Sequence, residues 1–536
     1  MSRSVPDIRN KSGESLFSAI VNQFRSRPDC AALIFEDEEL SYSQLFGRTS
    51  AIAEQLHKLG VSRGDRVALL FPNHPEFVAS FFAVVGLAAV VVPVNPLLKS
   101  EEIAHILSDS GAKVLIVDKA GLSEALAALS SCEGATKMPS LESILVRTVG
   151  DAAAEALVVK AAGQLGEVKL EHLTASTESE QEPPYVDDVA CERELALIVY
   201  TSGTTGKPKG AMLTHNNMSS ALKESLFEGF EISAADRILG VLPLCHIYGI
   251  GVLVYSSIVR GTPLLIMPKF DAPKLLQAIG KHQITFLPLV PSMYQFLLME
   301  MENTQYDLKS LRFCISAAAP LSAELLEEIE TEMGVTVIEG YGMSETACGG
   351  TVNPTQARRI GSVGKPLSCL EMAIRSEQGE FLPAGSAHVG EIAIKGNCVM
   401  QGYHGKPEAT AEAFAGDWFL TGDLGYKDEE GYFFIVGRKK ELIIRGGANI
   451  YPREVEEVIA RMPEVRDVAV IGVPDKLMGE RVKAIIVLAD ACSLTDQQVK
   501  EHCEKHLAQY KVPRLVEFRT ELPRNSTGKI LKRALS

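Results

Sequence analysis

The chain reads as an α/β protein, with a large N-terminal part of mainly parallel sheets flanked by helices and a small α+β domain at the C-terminus. Three observations predict this. Apolar β-branched runs alternate with helical patterns along most of the sequence. The 536 residues are too many for one hydrophobic core. Beyond residue 400 turns become frequent, and GRKKELIIRGGANIYPREVEEVI (437–459) reads as strand, charged turn, glycine pair and a helix starting near Pro452, which marks a boundary.

SYSQLFGRTSAIAEQLHKLG (41–60) carries apolar residues at helical spacing, and VALLF (67–71) follows as a buried strand. FVASFFAVVGLAAVVVPV (77–94) is long enough to cross a bilayer. Gly86 and Pro93 divide it, and Asn73 to Glu76 supply none of the basic flanking a span would want, so it reads as a buried helix followed by a parallel strand. VLIV (114–117), LALIVY (195–200) and PLLIM (263–267) are further strands. Between them, 119–194 is the least patterned part, and TASTESEQEPPYVDD (174–188) reads as a surface connection. At the C-terminal end, DVAVIGV (467–473) and KAIIVLA (483–489) are strands and TDQQVKEHCEKHLAQY (495–510) a helix.

With 46% hydrophobic and 23% charged residues the composition is that of an ordinary globular protein. A net charge of -15 gives no footprint for nucleic acid or anionic lipid. The ten cysteines form no C-x-x-C pair and no zinc-ligand spacing, so no metal cluster or disulfide framework is expected. No signal peptide precedes the first strand and the final Ala-Leu-Ser is no peroxisomal address; the expectation is a cytoplasmic protein without integral membrane association.

YTSGTTGKPKG (200–210) directly follows a strand and holds three glycines, the hydroxyls of Thr201, Ser202, Thr204 and Thr205, and Lys207 and Lys209. Glycines let backbone amides approach an anion, hydroxyls donate to phosphate oxygens, and a lysine adds charge. It is not a Walker loop, because Gly203 and Gly206 are two residues apart and Pro208 follows Lys207. Pro208 also resists helix continuation, so no phosphate-binding helix should follow.

This loop resembles the phosphate loop of the adenylate-forming superfamily of acyl-CoA synthetases, adenylation domains and luciferases. PLCHIYG (243–249), GYGMSET (340–346), TGDLG (421–425), GRKKELI (437–443) and PRNSTGKILK (523–532) resemble further motifs of that family in the same order, so the resemblance covers nearly the whole chain. It implies an ATP-dependent acid–thiol ligase that makes an acyl-adenylate and passes the acyl group to CoA, with ATP and CoA as co-substrates and Mg²⁺ as cofactor. By resemblance, Thr201, Ser202, Gly203, Thr204, Thr205 and Lys209 hold the β- and γ-phosphates. Glu345 is the metal ligand and Ser344, where many relatives carry threonine, donates to the α-phosphate. Tyr341 stacks on adenine with Glu339 and Gly340 beside it, Asp423 accepts from the ribose hydroxyls, and Arg438 supports the ribose or phosphates.

The same resemblance gives Lys529 the role of bridging the substrate carboxylate and α-phosphate, and Lys440 that of a hinge. It implies domains 1–439, binding ATP and acid, and 440–536, mobile. Gly446 and Gly447 would line a pantetheine channel. Aryl-CoA ligases often carry lysines around this loop, where this chain has Ile444 and Gly446, so a carrier-protein phosphopantetheine stays open as the acceptor. His246 and Tyr248 stand where relatives gate the acid, and the small residues at 316–319 and 347–350, among them Ala317, Ala318, Ala347 and Gly349, suggest a tunnel for a medium- or long-chain fatty acid. No acidic residue suggests an amino-acid substrate. An aryl-acid–CoA ligase and a non-catalytic ATP-binding regulator are the alternatives; an intact Glu345 and Lys529 speak against the regulator.

Overall fold

Two large sheets dominate the N-terminal part. The computed structural model describes residues 15–130, 140–147, 168–173, 193–201, 207–225, 232–446, 448–489, 492–524 and 530–535. The first sheet runs from Lys169–His172 through Ser143–Arg147, Val114–Asp118, Arg66–Leu70, Val90–Val94 and Leu195–Thr201 to Lys209–Thr214. Its strands are parallel except at the last pair, a hairpin with Thr201 opposite Lys209. The second has nine strands; Ala31–Phe35, Leu264–Ile266, Ile238–Gly240, Phe286–Leu289, Phe313–Ser316 and Thr336–Gly342 pair in parallel, with antiparallel strands at both edges.

One hydrophobic core joins these sheets. At its centre lies the helix Pro75–Gly86, buried at every residue and capped by His74, and the chain then turns into the fully buried strand Val90–Val94. The apolar run at 77–94 is therefore a helix and strand of the core, as its Gly and Pro indicate. Among the described residues no helix is long and apolar enough to cross a membrane. The helix Tyr42–Lys58 starts in a capping box, with Ser41 accepting from the Gln44 amide and Gln44 from the Ser41 amide.

The weakly patterned region 119–194 contributes more order than its sequence suggests. A helix, Lys119–Ser130, and two short strands, Ser143–Arg147 and Lys169–His172, extend the first sheet. The polar stretch 174–188 lies outside the described residues. A third, antiparallel sheet, built on Leu370–Arg375, Gly390–Gly396, Trp418–Lys427 and Phe433–Arg438, brings in the TGDLG and GRKKELI segments.

At the C-terminal end, Val465–Asp475 and Gly479–Leu488 form a long hairpin, with Ile443–Arg445, Ala448–Ile450 and Leu515–Arg519 beside it. Helices Pro452–Ala460, with proline in its first turn, and Asp496–His506 cover a core of their own.

Candidate active site

Thr201 ends one strand of the hairpin and Lys209 begins the next, so both project from the base of the phosphate loop. Ser202, Gly203, Thr204 and Thr205 lie outside the described residues. The chain leaves the loop as a strand, not a helix, as Pro208 dictates.

GYGMSET begins in the strand Thr336–Gly342 and ends in the 3-10 turn Ser344–Thr346. The turn is tight. A Cβ on Gly342 would sit 2.3 Å from the Cys348 carbonyl oxygen, and Ala347 and Cys348 both take left-handed φ, 51° and 70°. Such backbone in non-glycine residues costs of order 1–3 kcal/mol each and persists only where its surroundings hold it. Here it places Ser344 and Glu345 against the hairpin, both buried.

The Glu345 carboxylate is the centre of one cluster. Thr201 Oγ1 donates to its Oε1 at 3.3 Å and the Tyr403 hydroxyl donates to the same oxygen at 3.1 Å. Burial raises the carboxyl above its ordinary range, opposed by hydrogen bonds from its own amide, Tyr403 and Thr201 and by the charge of Arg438. The Lys209 ammonium stands 5.2 Å above the Tyr403 ring. A buried hard carboxylate beside a lysine and hydroxyls fits Mg²⁺. Among the described residues no three His, Cys, Asp or Glu side chains gather to enclose a metal, so such an ion would depend on phosphate and water oxygens, as Mg²⁺ sites on nucleotides do.

A second cluster joins three residues that the sequence places far apart. The Tyr341 hydroxyl donates to Asp423 Oδ2 at 2.7 Å and Arg438 Nε lies 3.1 Å from Asp423 Oδ1. Asp423 and Arg438 are opposed across antiparallel strands, which fixes that pair. Burial and the adjacent Asp423 push the Tyr341 phenol well above its ordinary range, so it stays a donor.

Glu339 lies on the strand Thr336–Gly342, opposite Ser316 of the neighbouring parallel strand. Among the described residues, Glu339 Oε2 and Ser316 Oγ are buried without hydrogen-bond partners at the carboxyl ends of these strands, where ligands of parallel sheets are held. Burial lifts the Glu339 carboxyl to about 7; Arg453, the Gly361 amide and Arg358 pull the other way. Gly340, next on the strand, faces the Thr351 carbonyl, 3.3 Å from where its Cβ would stand.

Around the expected acyl pocket, the Tyr248 amide donates to His246 Nδ1 at 3.3 Å, and among the described residues the buried Tyr248 hydroxyl has no hydrogen-bond partner. Ala317 is half-buried and Ala318 takes a left-handed φ of 69°. Ala347 is fully buried in the core, a Cβ on Gly349 would lie 2.9 Å from the Thr346 carbonyl, and one on Gly350 2.1 Å from the Tyr341 carbonyl.

Lys440 is exposed within the 3-10 turn Lys439–Glu441. Gly446 has φ 57° and its amide donates to the Met478 carbonyl at 2.8 Å, while a Cβ there would meet Met478 Cε at 2.4 Å. Gly447 and Lys529 lie outside the described residues. Tyr403 is the residue that sequence reasoning missed. It sits 58 positions from Glu345, in QGYHGK, whose two glycines and one lysine are too sparse beside the phosphate-loop motif to mark it as part of a phosphate site.

The AMP-binding enzyme family model matches residues 20–404 and that of the AMP-binding enzyme C-terminal domain residues 454–529. A long-chain-fatty-acid–CoA ligase of Bacillus subtilis (strain 168) is 35% identical, over 98% of this chain and 94% of its own. A feruloyl-CoA synthase of Amycolatopsis sp is 36% identical, over 97% and 98%. The crystal structure of ATP-bound MatB from Rhodopseudomonas palustris superposes with a TM-score of 0.84 at 30% identity, covering 98% of each chain. The chain belongs to the AMP-binding enzymes, the adenylate-forming superfamily of acyl-CoA synthetases.

Proposed function

We propose that this enzyme is an AMP-forming ligase that activates a medium- or long-chain fatty acid with ATP and transfers it to CoA. The observation that carries the reading is the pairing of two clusters. Glu345, Thr201 and Lys209 form a pole for phosphate charge, and Tyr341, Asp423 and Arg438 form a pole suited to a nucleoside. An acid carboxylate oxygen attacks the α-phosphorus, the bond to pyrophosphate breaks, and acyl-AMP remains. The thiol then attacks the acyl carbonyl and AMP leaves.

The chain's own residues contribute charge and placement. Lys209 and the hydroxyls of the loop stabilise the departing pyrophosphate, and Ser344 donates to the α-phosphate. Glu345, together with the phosphates, would hold Mg²⁺, which when bound would add to the neutralisation of developing charge. Tyr341 packs on adenine, with Glu339 and Gly340 beside it, while Asp423 accepts from the ribose hydroxyls and Arg438 braces it. Lys529 reaches the reacting carboxylate and α-phosphate from the C-terminal part. Rotation about Lys440, separating residues 1–439 from 440–536, replaces it with the channel at Gly446 and Gly447 for the thiol.

The fatty-acid reading is supported by the relatives named long-chain-fatty-acid–CoA ligases and by the apolar surroundings of Tyr248. The equally similar feruloyl-CoA synthase favours an aryl acid as the second reading. Pyrophosphate release over straight-chain acids of graded length, alongside benzoate and cinnamate, decides between them. Each added methylene should contribute up to about 0.8 kcal/mol in kcat/KM until the pocket is filled. Better turnover of cinnamate than of octanoate and longer acids would overturn the fatty-acid assignment. Repeating the assay with CoA and with a phosphopantetheinylated carrier protein identifies the acceptor.

A further inference from the structure

Residues 400–404 form a strap that ties the two halves of the phosphate pole together. The Met400 amide donates to the Glu345 carbonyl at 2.8 Å, Gln401 to Met212 at 2.9 Å, and His404 to Gly210 at 2.8 Å, while the Met212 amide donates back to Gly402 at 2.9 Å. The strap therefore runs antiparallel to the exit strand of the phosphate loop, with Tyr403 bridged to Ala211. One end is bonded to the Glu345 backbone and the other to the strand that carries Lys209.

The position of Tyr403 on this strap is over-determined. Gly402 has φ 139°, and a Cβ there would stand 2.6 Å from Thr410 Cγ2, so a side chain is strained and crowded where the strap turns. The Tyr403 amide donates to Thr410 Oγ1 at 2.9 Å. Three residues on, Lys406 pairs with Asp109 at 2.9 Å, and the hydroxyl of Tyr200, the first residue of the loop motif, donates to the same carboxylate at 2.9 Å.

We propose that Tyr403 is a positioning residue for ATP activation with two separable parts: its hydroxyl holds Glu345 Oε1, and its ring face holds the Lys209 ammonium. Among the described residues the two hydroxyl bonds to Glu345, from Tyr403 and Thr201, both fall on Oε1. They restrain the rotation of the carboxylate through that oxygen, and the other is the one that would take a cation. The ring meanwhile supports the lysine through its electron-rich face, without a hydrogen bond that would compete with phosphate. The inference rests on the reading of this pole as a Mg²⁺–ATP site.

The test is equilibrium binding of ATP to the full chain, measured by calorimetry with excess EDTA and across a Mg²⁺ titration, for wild type, Tyr403→Phe and Tyr403→Leu. Tyr403→Phe keeps the ring and is close to isosteric. It should bind metal-free ATP as wild type does, yet need about tenfold more Mg²⁺ for half-maximal enhancement of binding. Tyr403→Leu should show that shift and in addition bind metal-free ATP about fivefold more weakly. In turnover, the Phe variant should recover most of its kcat at saturating Mg²⁺, with the loss confined to low Mg²⁺. An unchanged Mg²⁺ requirement in Tyr403→Phe overturns the proposal, as does a lowered melting temperature in both variants with wild-type ATP and Mg²⁺ binding. Because no acid is present, a failure to find an acid substrate would sink the proposed function and leave this test standing.

Discussion

Glu339 is the residue whose chemistry departs furthest from what its type suggests. Its carboxyl is buried, one oxygen has no partner among the described residues, and its pKa is pushed up to about 7. An unfolded Glu titrates near 4.5, so between about pH 4.5 and 7 the native chain holds a proton that the unfolded chain has lost. Stability contributed by the neutral form is therefore present at low pH and declines as pH rises through that window, by about 3 kcal/mol. Glu339→Gln, neutral throughout, should remove this decline and melt higher than wild type at pH 8. Parallel melting profiles for the two proteins from pH 5 to 8 would show that Glu339 is ionised in the native state across the range. The sequence marks the acid as a candidate by its place before GYG. Its titration is not legible there, because both the burial that raises it and the arginines that oppose it, among them Arg453 in the helix Pro452–Ala460, come from elements distant in sequence.

At the scale of elements, the phosphate loop is a hairpin connection held at its base. Its strands are fixed by the sheet, so changes within the loop should affect chemistry and leave the core intact. Lys209→Ala and Thr204→Ala should each slow adenylate formation by about ten- to a hundredfold, with melting temperatures within a few degrees of wild type. Wild-type pyrophosphate release in both variants would refute the loop's role. Elements of this kind are legible because their chemistry is contiguous: eleven residues carry the donors, glycines and lysines together. Long apolar runs such as 77–94 were equally clear. The strands Ser143–Arg147 and Lys169–His172 were not, since five and four residues without a turn signature carry no resolvable period and are ordered by the sheet they join. Tyr403 illustrates the same limit for the site. Its partners Glu345 and Lys209 are brought to it by a strap pairing that no local pattern encodes.

For the whole molecule, the fold places an N-terminal body of two large sheets and a smaller C-terminal sheet with its own core on either side of the turn Lys439–Glu441. We propose that the two half-reactions belong to two arrangements of these parts, with Lys529 serving the first, through charge directed at the α-phosphate, and the glycines at 446 and 447 the second, through the absence of side chains. The most direct test is single-turnover rapid quench with a fatty acid, in which acyl-AMP, pyrophosphate and acyl-CoA are resolved in time for wild type, Lys529→Ala and Gly447→Leu. Wild type should form acyl-AMP and pyrophosphate before CoA is added and convert the adenylate to acyl-CoA and AMP afterwards. Lys529→Ala should lose the first step, by several kcal/mol of barrier, yet convert supplied acyl-AMP at the wild-type rate. Gly447→Leu should accumulate acyl-AMP and stall. ADP and phosphate as products, or equal slowing of both steps by Lys529→Ala, would contradict the account.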